Sequence, residues 1–370
     1  MGHKIIHVLT DTNVGGAGIL LTNYLKNHNR DKYDIVVVLP KNSAMKPFID
    51  KLSVRTIEID GIADKSFSVE GFKALREVFK VEKPSIVHTH AALSARLAGK
   101  LGGFRIVHTR HSVRDVQGTN TQKDPLVKRL ISKVINNYLS DIMIATSPVV
   151  AHDMKEDGIK PHKIKMIYNG VDPVKKLDDE EIKILKKQYG ISDTDFVCSI
   201  VARLEIVKGH KFILEAAKIL QDVEPDVKFI IAGVGSLEQE LKQMAKDKGI
   251  SNCIFIGFVD GVEKIYNVTD IGLNASYSET SNQALIEGMS LGIPSVASSG
   301  GGNPYVVEDG VNGIITAIGD GRGIADAIIR LKNDGDLYMD MSKNAKKAFE
   351  TKFMAKQMSM QIEEIYERII

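Results

Sequence analysis

Short apolar runs alternate with amphipathic segments along this chain, and the alternation happens twice. In the first half Ile5–Leu9, Asp34–Leu39, Val54–Ile59, Ile86–His90, Ile106–His111 and Asp141–Ser147 read as strands. Segments of helical period follow Gly15–Gly18 and recur near 69–82, 93–101 and 125–139. In the second half the strands are Phe196–Val201, Val227–Gly233, Cys253–Phe258, Ile271–Asn274 and Pro294–Ala297, with helices near 209–222 and 237–248 and helical pattern from 337 to the end. Strands that are apolar throughout need cover on both faces, which a parallel, doubly wound sheet supplies. The expectation is α/β: two tandem doubly wound Rossmann-like domains with an interdomain cleft. Their boundary is placed near residue 172, and the charged, apolar-poor segment 173–195 reads as a linker.

Bulk properties exclude some classes and leave others. The chain has 370 residues, 43% of them hydrophobic, and no apolar run nears the roughly 20 residues that span a bilayer. The amino terminus lacks the pattern of a signal peptide, so a cytoplasmic location is expected. Cys198 and Cys253 sit in strand-like runs and read as buried, reduced thiols. The net charge of +2 is unevenly spread. Residues 1–172 carry 26 Lys and Arg against 17 Asp and Glu, a net +9, while the remainder carries 23 against 30, a net −7. Within 94–133 the basic residues are Arg96, Lys100, Arg105, Arg110, Arg114, Lys123, Lys128, Arg129 and Lys133. A phosphate-bearing acceptor or an anionic membrane surface would suit this segment, which would make the protein peripheral at the inner membrane face. No interleaved aromatics support nucleic acid. A solvated basic face is the plainer alternative.

The stretch Ser276–Pro294 carries the sharpest chemical signal. Glu279 and Glu287 stand eight residues apart at the start of an expected helix, with Thr280 as N-cap and Gln283 completing a capping box. At about 1.5 Å per residue they would be roughly 12 Å apart, near the span of a nucleoside diphosphate-sugar. The helix amino terminus between them would suit a diphosphate. A strand precedes the motif and another follows it, and open α/β sheets bind ligands at the carboxyl ends of strands. Two glutamates on a solvated helix face would give the same spacing, so the context carries the reading.

Other groups fall at matching places. Arg203 and Lys208 follow the first strand of the second half and could neutralise a diphosphate. Gly15 and Gly16 follow the first strand and precede a helix, but Gly-x-Gly-x-x-Gly is absent. They would let an anion approach, unless they form a plain turn. His88, His90, His108 and His111 end adjacent strands. His111, past its strand, could bond a sugar hydroxyl or a phosphate, and His90 could assist. A metal site lacks a third ligand at suitable spacing, so none is expected. Asp193/Asp195 and Asp334/Asp336 read as solvated turns.

Together these residues resemble the retaining glycosyltransferases of family 4, which have the GT-B fold. Glu279 to Glu287 is similar to that family's Glu-x7-Glu, Asn169-Gly170-Val171-Asp172 to its domain junction, and Arg203 with Lys208 to its phosphate-binding pair. The resemblance implies an acceptor-side domain over 1–172, a nucleotide-sugar donor domain over 173–350, and a last helix, 351–370, packing back on the first domain. It implies that Glu279 contacts sugar hydroxyls, Glu287 the ribose, Arg203 and Lys208 the diphosphate, and His111 the donor sugar. Gly15, Gly16, His90, Thr280, Ser281 and Asn282 would line the donor. No cofactor beyond the nucleotide-sugar is implied. UDP is the commonest nucleotide in such a family, with GDP and ADP open, and the acceptor would be a glycan or lipid-linked hydroxyl. The family commonly has Gly where Thr280 stands and an acidic residue where Tyr305 stands, so the sugar is left open. A nucleotide-sugar epimerase, an inverting transferase or a non-catalytic binding protein are the alternatives.

Overall fold

A computed structural model describes residues 2–113 and 126–370. The chain forms two compact units, one from the residues up to Val171 together with Met354–Ile370, the other from Asp172–Phe353.

In the first unit the elements are β1 (His3–Leu9), α1 (Gly16–Asn27), β2 (Tyr33–Pro40), α2 (Lys46–Asp50), β3 (Arg55–Ile59), α3 (Val69–Glu82), β4 (Ile86–His90), α4 (Leu93–Leu101), β5 (Arg105–Arg110), α5 (Leu126–Leu139), β6 (Ile142–Ala145), α6 (Pro148–Glu156) and β7 (Ile164–Met166). Every strand pairing is parallel, in the order β3-β2-β1-β4-β5-β6-β7. The order reverses direction between β1 and β4, where Leu9 lies beside His90 and His7 beside His88. Such switch points leave a crevice at the carboxyl ends of the strands.

The second unit runs α7 (Asp179–Tyr189), β8 (Phe196–Val201), α8 (His210–Val223), β9 (Val227–Ala232), α9 (Glu238–Asp247), β10 (Cys253–Gly257), α10 (Glu263–Tyr266), β11 (Ile271–Asn274), α11 (Gln283–Met289), β12 (Ser295–Ser298), α12 (Asn303–Val306), β13 (Gly313–Thr316), α13 (Gly321–Asn333) and α14 (Gly335–Ala348). Its sheet is parallel, in the order β10-β9-β8-β11-β12-β13, with the switch between β8 and β11. Cys198 in β8 is buried and Cys253 in β10 is partly exposed, against the expectation for the latter, and both are free thiols.

The last helix, α15 (Ala355–Ile369), belongs to the first unit. Its Met358, Ile362, Ile365 and Tyr366 join Leu20, Leu21, Tyr24 and Leu25 of α1 in one buried cluster. Each such side chain removed from water contributes about 1.5–3 kcal/mol, so the helix is held by its apolar stripe. The segment read as a linker holds α7 instead. Asp178 caps it and Glu181 closes a capping box, while Leu177, Leu185 and Ile191 pack with Val197 and Ile230. Few apolar residues suffice when they fall on one helical stripe. No described helix is long and apolar enough to cross a membrane.

Candidate active site

The β8/β11 switch point gathers the charged residues of the second unit. Lys208 closes a single turn of 3-10 helix after β8, and Gly209 follows with φ +66°. A side chain at Gly209 would strike the Ala275 carbonyl oxygen at the end of β11, so only glycine lets the two loops meet there. Across that contact Lys208 Nζ lies 2.6 Å from Glu279 Oε1. Ser276 Oγ donates to the same oxygen at 2.8 Å and Asn274 Nδ2 at 3.2 Å. The Lys208 and Glu279 side chains are 19% and 10% exposed, so this pair is sheltered but reachable. Sequence reasoning assigned Lys208 to phosphate and Glu279 to sugar; without a ligand the two neutralise each other.

Arg203 is exposed: its carbonyl accepts from the Glu205 amide at 2.9 Å, and its side chain makes no hydrogen bond or ion pair with the described residues. It is close enough to Glu205 to help hold that carboxyl below its ordinary value, behind the stronger effect of the Ser236 hydroxyl and amide. Its loop is fixed from behind: side chains at Gly233 and Gly235 would collide with the backbone of Ala202 and Leu204.

The expected Thr280 cap gives way to Asn282, whose side chain accepts from the Leu285 amide at 3.4 Å, so α11 begins at Gln283. Asn is a better cap than Thr, and Asn282 is itself oriented by donating to Asn303 Oδ1 at 3.0 Å. Glu287 therefore sits one turn into the helix and Glu279 in the preceding loop, so helical rise does not set their separation. Burial pushes the Glu287 carboxyl up to about 7. The Tyr266 hydroxyl donates to the Ala284 carbonyl at 2.6 Å and lies 3.4 Å from Glu287 Oε2. Thr280 is partly exposed, whereas Ser281 Oγ and Gln283 Nε2 are buried without a hydrogen-bond partner.

Two supports escaped sequence reasoning. Gly300, Gly301 and Gly302 lie against the backbone of Ser276–Thr280 so closely that a side chain at any of them would overlap it. The Gly302 amide donates to the Glu279 carbonyl at 2.6 Å. Fully buried Asn303 donates to Asn274 Oδ1 at 2.9 Å and to the Ser298 carbonyl at 3.0 Å, which ties the residue beside Glu279 to β12. The signal was the unbroken Gly300-Gly301-Gly302-Asn303 run, which only a close backbone approach would need.

At the β1/β4 switch of the first unit the groups are neutral. His7, His88 and His90 are buried together, and three ring nitrogens, one from each, lie within 4.8 Å of one another. His7 is the third histidine that sequence spacing could not supply. Hydrogen bonds account for the closeness: His7 Nδ1 to His90 Nε2 at 3.1 Å, His90 Nδ1 to His111 Nε2 at 2.8 Å and His88 Nδ1 to the Tyr366 hydroxyl at 2.6 Å. Burial drives His7 down to about 3 and His111 to about 4, with His88 and His90 also well below their ordinary value, so all four rings are uncharged at neutral pH. Nδ1 of His111 bonds none of the described residues, while its Nε2 is held by His90. His108 is turned inward to Thr89. Gly15 caps α1, and space beyond its neighbour Gly16 is open.

Three cations of the basic segment are answered internally among the described residues. Arg96 is buried and donates to Asn136 Oδ1 at 2.7 Å; Lys100 pairs with Asp141 at 3.0 Å. Arg110 pairs with Asp153 and with Asp157. The anion-binding expectation counted these as available charge, because their acidic partners lie some 40 residues away in sequence. Arg114, Lys123 and the side chains of Lys128 and Arg129 lie outside the described residues.

Comparison with known proteins adds the family. Residues 14–175 match the model for Glycosyltransferase Family 4, and 181–348 that for Glycosyl transferases group 1. Among curated relatives, the N-acetyl-alpha-D-glucosaminyl L-malate synthase of Bacillus anthracis is 28% identical over 79% of this chain and 77% of its own. The UDP-Gal:alpha-D-GlcNAc-diphosphoundecaprenol alpha-1,3-galactosyltransferase of Escherichia coli is 26% identical over 93% and 91%. Among solved structures, HepE of Anabaena in complex with UDP superposes with a TM-score of 0.85 at 21% identity, covering all of both chains. HepE has also been solved with UDP-glucose. Two parallel α/β domains and matches to both family models along its length make this chain a member of the family-4 glycosyltransferases with the GT-B fold.

Proposed function

We propose that this enzyme moves a hexose-type sugar from a UDP-sugar to an acceptor hydroxyl with retention at the anomeric carbon, in glycan, glycolipid or polysaccharide assembly. The observation that carries the reading is the Lys208–Glu279 pair, braced by Ser276 and Asn274, at the β8/β11 switch point. In this reading the second unit holds the donor and the first serves the acceptor. An arriving diphosphate draws Lys208 off Glu279, with exposed Arg203 as the second cation. Glu279 is then free to accept from sugar hydroxyls, and Glu287 accepts from the ribose. The His111 Nδ1 atom bonds a donor-sugar hydroxyl. UDP is favoured because HepE binds it and because the E. coli relative is named for a UDP-sugar. That relative's name also supports a lipid-linked acceptor, whereas the B. anthracis relative is named for malate.

The step balances without a protein nucleophile. The acceptor oxygen bonds the anomeric carbon, the bond from that carbon to the diphosphate breaks with its electron pair on the phosphate oxygen, and the acceptor proton passes to that oxygen. The barrier is charge developing on the leaving group, and preorganised cations lower it by an electrostatic effect that is often the largest in catalysis. The test is NMR of the product formed from a labelled UDP-sugar. An axial donor bond is expected to give an axial product bond. An inverted product, a free epimerised sugar, or donor binding without turnover would each overturn the assignment.

A further inference from the structure

The buried histidines form a continuous chain, of which the transfer reaction as described uses only the His111 end. It runs Thr109 Oγ1 to His88 Nε2 (2.7 Å), His88 Nδ1 to the Tyr366 hydroxyl (2.6 Å), and Tyr366 to His7 Nε2 (3.2 Å). It continues from His7 Nδ1 to His90 Nε2 (3.1 Å) and from His90 Nδ1 to His111 Nε2 (2.8 Å). Three strands and the last helix contribute to it. The rings also stack: His88 on His90 at 4.8 Å between centroids, and His90 on His111 at 5.1 Å.

A neutral imidazole has one N–H and one bare nitrogen, and Tyr366 has one hydrogen to give. Each imidazole in such a chain can therefore donate once and accept once, whereas the Tyr366 oxygen can also accept twice and give its own hydrogen to neighbouring Tyr24. If His90 turns its tautomer alone, two hydrogens or two lone pairs face each other on its links to His7 and His111, in a place water does not reach. Two arrangements of uniform direction satisfy every link. In one, all four histidines carry the proton on Nδ1 and the chain points toward His111. In the other, all four carry it on Nε2 and the chain points toward Thr109. The first leaves His111 Nδ1 a donor, the second an acceptor. A third arrangement, with His88 on Nδ1 and the other three on Nε2, satisfies every link only when Tyr366 accepts from both His88 and His7 and gives its hydrogen to Tyr24.

We infer that Thr109, His88, Tyr366, His7, His90 and His111 act as one hydrogen-bonded chain of uniform direction, which fixes the tautomer His111 offers to a sugar hydroxyl. Tyr366 is its central positioning residue: it sits on the carboxyl-terminal helix and joins the two halves of the chain without touching substrate. The consequence for catalysis rests on the reading that His111 meets the donor sugar; the chain itself does not.

The test is nitrogen-15 NMR of histidine-labelled full-length protein without donor, at neutral pH, where long-range proton–nitrogen correlations report each ring's tautomer. His7, His88, His90 and His111 are expected in one shared tautomer. Any mixture among the four in the wild-type protein overturns the chain, and this measurement needs no folded variant. In Tyr366→Phe the ring packing stays and the link goes, so His111 is expected to show both tautomers and kcat to fall about 10-fold while KM for the UDP-sugar stays within about 2-fold. Thr109→Val removes the hydroxyl at the far end, after which the four rings are expected to change tautomer together or not at all, and mixing at His88 alone would overturn the uniform direction. An unchanged His111 spectrum in Tyr366→Phe sinks the positioning role. Loosened tautomers with unchanged kcat would keep the chain and contradict the assignment of His111 to the sugar.

Discussion

The two sheets place their functional groups at the same topological position and fill it with opposite chemistry. At the β8/β11 switch the groups are charged: Lys208 and Glu279 pair at 2.6 Å, sheltered but still partly exposed. At the β1/β4 switch they are neutral dipoles: four histidines and a tyrosine hold one another where burial forbids charge. A charged pair can be exchanged for a charged ligand: in the proposed reading the incoming phosphate would replace the carboxylate that Lys208 gives up. A neutral chain cannot be exchanged in this way. It can only set geometry and direction. The topology thus supplies a location, and the side chains decide whether it binds or orients.

The largest expected effect falls on the charged pocket. Glu279→Gln or Lys208→Ala should lower kcat/KM by about 10²–10³, the range seen when one preorganised electrostatic contact is removed. Initial rates at donor concentrations well below KM measure it, and a loss under fivefold would detach this pair from the chemistry. Next comes the neutral region, where the damage should be to stability. Tyr366→Ala empties a fully buried site against Tyr24, Tyr33 and His88 and should cost about 3–5 kcal/mol in urea unfolding. A cost under 1 kcal/mol would mean that α15 is not held as described.

Glu287 sharpens the comparison through pH. Its folded carboxyl is raised to about 7, so the unfolded chain releases this proton first. Stability of the ligand-free protein should therefore be highest below about pH 4.5 as far as this group is concerned. It should fall as pH rises toward 7 and level off above, by up to about 3 kcal/mol. Glu287→Gln should flatten that slope, and a wild-type slope of opposite sign attributable to Glu287 would contradict its burial. The smallest stability effect belongs to Arg203→Ala. The Arg203 side chain is exposed and makes no hydrogen bond or ion pair with the described residues, so unfolding should shift within about 0.5 kcal/mol while kcat falls.

The fold was legible because its strands are apolar throughout and its helices carry a single stripe. The short edge strands β7 and β13, three and four residues long, carried too little pattern to be read. Segment 173–195 misled because Leu177, Leu185 and Ile191 are diluted among charges, though they suffice to anchor α7. In the candidate site, Glu279 and Lys208, which the structure brings together, were picked out by residue type and context, as was Glu287, which lies outside that pair, against Tyr266. What stayed hidden is what holds them. Asn303 reaches Asn274 across 29 residues, and His7 reaches His90 across 83. Spacing along the chain carries no information about such contacts. The same blindness made Arg110 read as available charge when Asp153 and Asp157 already answer it.

The most direct measurement is calorimetric titration of the wild-type and Lys208→Ala proteins with UDP, GDP and ADP. The account predicts that UDP binds most tightly and that Lys208→Ala weakens it at least 10-fold. Absence of nucleotide binding, or UDP binding that ignores Lys208, would contradict it.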